Sequence, residues 1–135
     1  MTGSGKEILI DQAREAPVLW HNGEKYFLFS SGCTGWSPNT MLYAESSAIF
    51  GSWRLIDDPC RGPPRTTTFG AQSAAVFAAN GQPYILLDHW HPDDLRSSGY
   101  TILPVTFENG LPTGELGRTN GRASEEDFFM YYLGR

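Results

Sequence analysis

Val18-Leu19-Trp20-His21-Asn22-Gly23-Glu24-Lys25-Tyr26-Phe27-Leu28-Phe29-Ser30 returns 58 positions later as Val76-Phe77-Ala78-Ala79-Asn80-Gly81-Gln82-Pro83-Tyr84-Ile85-Leu86-Leu87-Asp88. Asn22 and Asn80, Gly23 and Gly81, and Tyr26 and Tyr84 coincide at that offset. In each copy the Asn-Gly pair stands between two apolar runs. Both residues tolerate the positive φ of a tight turn, so each copy predicts a β-hairpin. Hairpin units repeated at such a period are how propeller blades look in sequence.

The same plan continues around each hairpin. Residues 41–44 predict a third strand, and residues 52–56 a fourth, after a Phe50-Gly51 turn. In the second unit residues 72–78, 84–87 and 100–103 predict strands, followed by Val105-Thr106-Phe107 and an Asn109-Gly110 turn. Pro83 stands at a strand start, where its missing N–H does little harm. The units run over about 15–58 and 70–110, as two four-stranded antiparallel blades within one domain, 1–135. Residues 8–10 read as a short strand or lead-in, and residues 58–65 as a loop between the units. The tail 114–135 fits neither unit, although Ser124-Glu125-Glu126-Asp127 could cap a short helix there. The fold class is all-β; a sandwich or a barrel accounts less directly for the repeat.

With 135 residues the chain holds one domain of ordinary size. Its 15 glycines, 9 prolines and 13% aromatic residues suit a strand-and-turn protein. A net charge of −5, with no block of Lys or Arg, argues against nucleic acid or an anionic membrane as partner. No apolar run approaches membrane-spanning length. The first residues lack the apolar segment of a signal peptide, which predicts a cytosolic chain or one that begins partway through a longer product. Cys33 and Cys60 both fall in loops, where reduced thiols and a disulfide are both open readings. Their spacing is not a metal pattern. His89 and His91 beside Asp93 and Asp94 imitate one, but Pro92 favours a surface or pocket-rim turn, so no metal and no cofactor are expected.

Two polar residues precede the hairpins. Glu15, in Arg14-Glu15-Ala16-Pro17, is either a solvated strand-end carboxylate or one held at the inner end of a blade. A carboxyl held partly out of water is suited to general acid catalysis. Gln72, in Phe69-Gly70-Ala71-Gln72-Ser73, takes the corresponding place in the second unit. An ordinary amide is no base, so Gln72 gains interest from its pairing with Glu15. Trp36 and Trp90 occupy the loops after the second strand of each unit, where exposed aromatic faces can hold the apolar faces of sugar rings. Asn39 and Asp88 could add hydrogen bonds to hydroxyls. A polar and aromatic mixture without a phosphate loop suits a neutral carbohydrate better than a nucleotide.

Glu15-Ala16-Pro17, Ser31-Gly32-Cys33-Thr34-Gly35-Trp36-Ser37-Pro38-Asn39, Pro59-Cys60 and Thr67-Thr68-Phe69-Gly70-Ala71-Gln72-Ser73 occur in this order. Together with Asp88-His89-Trp90-His91-Pro92-Asp93-Asp94-Leu95 they resemble glycoside hydrolase family 43, most of all its exo-β-1,3-galactanase branch. The resemblance implies a five-bladed β-propeller that hydrolyses a β-1,3-galactan, such as an arabinogalactan backbone, with inversion. It implies Glu15 as general acid and Gln72 as the group that positions or activates water. The two would stand about 6.5–9.5 Å apart, as inverting carboxyl pairs do. Thr34, Gly35, Trp36 and Asn39 would line the sugar subsite, with Asp88 and Trp90. Cys33 and Cys60 match the branch's paired cysteines, which implies a disulfide and a secreted or extracellular parent. Two blades are too few to close a propeller, so the resemblance implies that the chain is the C-terminal part of a catalytic domain. Made alone, it is expected to associate or to be marginally stable, through open edges and faces that the missing blades would cover, and to be hydrolytically weak or inactive. The alternatives are a family 43 arabinofuranosidase or xylosidase, and a non-catalytic carbohydrate-binding module.

Overall fold

The computed structural model describes residues 5–62, 65–108 and 111–115. Nearly all regular structure there is β. The first sheet has the order β1-β2-β3-β4, from strands Arg14–His21, Tyr26–Gly32, Leu42–Ser46 and Arg54–Leu55, all antiparallel. The second has the order β5-β9-β8-β7-β6, from Cys60–Arg61, Leu111–Glu115, Gly99–Glu108, Gln82–His89 and Gln72–Ala79. Each sheet is a blade, and the first strand of each, β1 or β6, lies along the other.

The second blade differs from the expected four strands. Cys60–Arg61, expected within a connecting loop, adds a short parallel edge strand to β9. Residues 99–108 form one strand rather than two, and β9 carries the unit to residue 115. Residues 8–10 enter a turn instead of a strand. The helix foreseen near residues 124–130 lies outside the described residues.

The repeat is real, but in space it runs at 57 residues. His21 pairs with Tyr26 and Ala78 with Pro83, while Glu15 pairs with Ser31 and Gln72 with Asp88. Asn22 is not inside its turn: its side chain accepts from the N–H groups of Glu24 and Lys25 at 2.9 and 2.8 Å, and Gly23 takes φ +101°. Asn80 and Gly81 do form the second turn, at φ +51° and +79°. The matched Asn-Gly pairs therefore serve neighbouring turn positions.

A 57-residue equivalence also explains the core. Side chains alternate across a strand, and facing blades must bury opposite faces. Phe27, Phe29 and Tyr43 of the first blade pack against Ile85, Leu87, Leu103 and Val105 of the second, with Met41, Cys60 and Phe69 between them. Each fully buried aromatic or aliphatic side chain of such a seam contributes about 1.5–3 kcal/mol. The counterparts of Phe27 and Phe29 are Tyr84 and Leu86, which belong to the far face of the second blade. There Phe77 stacks on Tyr84 at 5.7 Å, and Tyr100 and Ile102 remain 50% and 48% exposed. The first blade's far face is better covered: Ala44 is fully buried, and the segment before β1 is tied down where Lys6 Nζ donates to the carbonyls of Phe50 and Gly51.

Candidate active site

Both first strands carry a β-bulge at corresponding places, between Glu15 and Val18 in β1 and between Ser73 and Ala75 in β6. Bulges bend a strand and re-aim its side chains. In β1 the irregularity places Ala16 at φ +49°. Its carbonyl then accepts from Ser73 Oγ of the other blade at 2.7 Å. Residues Thr68, Phe69 and Gly70 all have positive φ, and this tight passage delivers the chain to Gln72. Thr68 anchors it: its hydroxyl donates to Asn39 O at 2.6 Å and accepts from Met41 N–H at 2.8 Å.

These devices open a cleft between the blades. Glu15, Ser31, Gly35, Trp36, Asn39, Gln72, Asp88 and Trp90 line it. Gln72 Nε2 donates to Glu15 Oε1 at 3.0 Å and to Ser31 Oγ at 2.9 Å. The Trp36 and Trp90 rings meet edge to face with centroids 5.5 Å apart, and both remain substantially exposed. An edge-to-face pair of this kind leaves ring faces available to a ligand.

Most residues singled out in the sequence converge here, with three corrections. Glu15 and Gln72 touch directly instead of standing 6.5–9.5 Å apart, because the paired bulges turn both side chains into the seam and an amide N–H meets a carboxylate oxygen there. Thr34 does not line the cleft; its hydroxyl donates to Ser37 O at 2.5 Å and accepts from Asn39 Nδ2 at 2.6 Å, closing its own loop. Cys33 and Cys60 are not joined in a disulfide: Cys33 is exposed, whereas Cys60 is buried in the core between the blades. Asn39 reaches the cleft with its amide already engaged, accepting from Gly32 N–H and donating to Gly32 O, both at 2.8 Å. It holds the Trp36 loop closed.

Burial raises the Asp88 carboxyl above its ordinary pKa, against a smaller opposing pull from His89. Burial likewise lowers His89, opposed by a hydrogen bond with the Gly70 backbone. His89 Nε2 meets Thr101 Oγ1 at 2.7 Å and His91 Nδ1 meets Ser97 Oγ at 2.8 Å, so the two imidazoles serve separate local contacts. Among the described residues no three His, Cys, Asp or Glu side chains gather as a metal site would require, and no helix is long and apolar enough to cross a membrane.

Ser31 escaped the sequence reading. It is the counterpart of Asp88 at the 57-residue offset, each being the cross-strand partner of a residue at the seam. A search at 57 rather than 58 would have paired them.

No family model and no curated protein matches the chain. Among solved structures, a GH43 β-1,3-galactosidase with galactodeoxynojirimycin matches at 34% identity and a TM-score of 0.73, over 76% of this chain and 30% of that one. The chain shares its fold with family 43 glycoside hydrolases. The exo-β-1,3-galactanase of Phanerochaete chrysosporium, solved with galactose, matches this family 43 fold at 29% identity and a TM-score of 0.68, over 76% and 23% of the two chains. The exo-β-1,3-galactanase of Clostridium thermocellum matches at 30% identity and a TM-score of 0.63, over 76% and 23%. The two blades thus span less than a third of these relatives.

Proposed function

We propose that the chain is part of an inverting exo-glycosidase acting on β-1,3-linked galactan. The observation that carries this reading is the meeting of Glu15 and Gln72, from neighbouring blades, beneath the Trp36–Trp90 pair. Glu15 would protonate the departing glycosidic oxygen through Oε2, since Oε1 accepts from Gln72. Gln72 would hold the attacking water through its amide oxygen. The water would sit at that oxygen on the cleft side, with the Nε2 contact to Glu15 kept. Trp36 and Trp90 would take the apolar face of the ring, and Asp88 a hydroxyl. The galactan-type relatives at 29–34% identity favour galactose over arabinose or xylose as the sugar.

The direct Glu15–Gln72 contact favours a second reading for the two blades by themselves, a sugar-binding module without turnover. The far face of the second blade, with Phe77, Tyr100 and Ile102 exposed, supports self-association of the isolated chain.

A single comparison separates the readings: β-1,3-galactobiose hydrolysis and binding by the chain and its Glu15→Gln variant, with the chain joined to further blades in one arm. The hydrolase reading expects turnover in the joined form, with inverted product anomer by NMR, and near-complete loss of turnover with retained binding in Glu15→Gln. Undiminished turnover in Glu15→Gln removes it. Binding without turnover in either form leaves the module.

A further inference from the structure

An unconstrained glutamine is a poor device for positioning water. Its terminal torsion is broad and roughly two-fold, so nothing intrinsic decides whether the oxygen or the nitrogen faces a ligand. Gln72 is constrained. The two hydrogens of Nε2 have separate acceptors, Glu15 Oε1 at 3.0 Å and Ser31 Oγ at 2.9 Å. Ser31 is only 4% exposed and pairs with Glu15 across β1 and β2. Its hydroxyl is directed at the Glu15 backbone carbonyl, 3.5 Å away, which leaves the oxygen lone pairs for Gln72.

We infer that Ser31 is a positioning residue for Gln72, fixing the amide so that its carbonyl oxygen Oε1 faces the cleft. One attachment, to Glu15, leaves the amide free to turn about that bond. Two attachments define its plane. The glutamine then presents an acceptor to the cleft, which takes a hydrogen from water and leaves a water lone pair directed outward. This deepens the glycosidase reading and rests on it for the identity of the ligand, but the amide orientation is a property of the chain itself. The repeat adds a reason for serine. The counterpart position in the second blade holds Asp88, and a carboxylate at position 31 would crowd a second negative charge against Glu15.

The test uses the ¹⁵N-labelled chain and its Ser31→Ala and Ser31→Thr variants, with Gln72→Glu to assign the Gln72 side-chain resonances. In Ser31→Ala, hydrogen exchange at Gln72 Nε2 should rise about fivefold or more, the loss of one net hydrogen bond. Backbone exchange in β1 and β2 should hold, and Ser31→Thr should restore the slow side-chain exchange. Unchanged Gln72 side-chain exchange in Ser31→Ala overturns the inference. So does a rise matched by the backbone amides of both strands, which marks a merely structural serine. A titration with β-1,3-galactobiose distinguishes the two readings. If the sugar leaves the Gln72 resonances unmoved while Ser31→Ala moves them, the galactan reading fails and the positioning role stands.

Discussion

Thr68→Val should be far more damaging than its near-identical shape suggests. The side chain is 1% exposed and Met41 beside it is 2% exposed, so water cannot replace the hydroxyl's partners. Valine keeps the volume, the β-branch and the strained φ of +51°, which isolates the effect of the oxygen. Removing it leaves the Met41 N–H without its 2.8 Å acceptor and the Asn39 carbonyl without its 2.6 Å donor. A buried donor left unsatisfied costs about 1–3 kcal/mol. The carbonyl keeps a second lone pair and adds less, so the total is about 2–3 kcal/mol. For a chain of this size that lowers Tm by about 7–10 °C. Urea unfolding followed by circular dichroism measures it, with Thr68→Ser as the control that keeps the hydroxyl and stays within about 1 kcal/mol. Because Asn39 clamps the Trp36 loop, sugar affinity should weaken in Thr68→Val as well. A Thr68→Val protein within about 0.5 kcal/mol of wild type would refute the account of this loop as one held by that hydroxyl.

Two further outcomes are expected. His89 has a lowered pKa, so above 6.5 its contribution is whole, and it is lost as pH falls through 6.5 toward the folded value, where the unfolded chain takes the proton more readily. Tm should therefore decline between pH 7.5 and 5.5 with a slope that is reduced in His89→Gln; equal slopes would exclude His89 as its source. Trp36→Ala should weaken β-1,3-galactobiose binding about two- to tenfold by isothermal calorimetry, in keeping with about 0.5–1.5 kcal/mol for aromatic packing, and an unchanged affinity would place the sugar elsewhere.

How much of this was legible depended on range. Local signals were clear: Asn80-Gly81 made its turn where expected, and the apolar runs at residues 26–30 and 84–87 marked two strands that do form. Asn22-Gly23 predicted a hairpin correctly but misplaced its turn by one residue, since an asparagine side chain can cap a turn as readily as occupy it. That single residue shifted the repeat to 58 and hid the correspondence of Ser31 with Asp88. The bulges were invisible, because an extra residue in one strand is defined only by its partner. Cys60–Arg61 gave no strand signal either; two residues pair with β9 only because the fold brings residue 114 beside them. The near contact of Glu15 with Gln72 could not be read from spacing, as it depends on two bulges facing each other across a seam.

The hydrogen bonds that bring Gln72 to Glu15 and Ser31 span 57 and 41 residues of chain. Such pairings close late, after the nearer hairpins have formed, because the entropy of closing long loops opposes them until docking repays it. During synthesis the first blade's strands can pair well before residue 72 leaves the ribosome, yet they hold no cleft. A half-made molecule therefore lacks the cleft, and occupancy of the cleft by a ligand would report that the two halves of the chain have found each other.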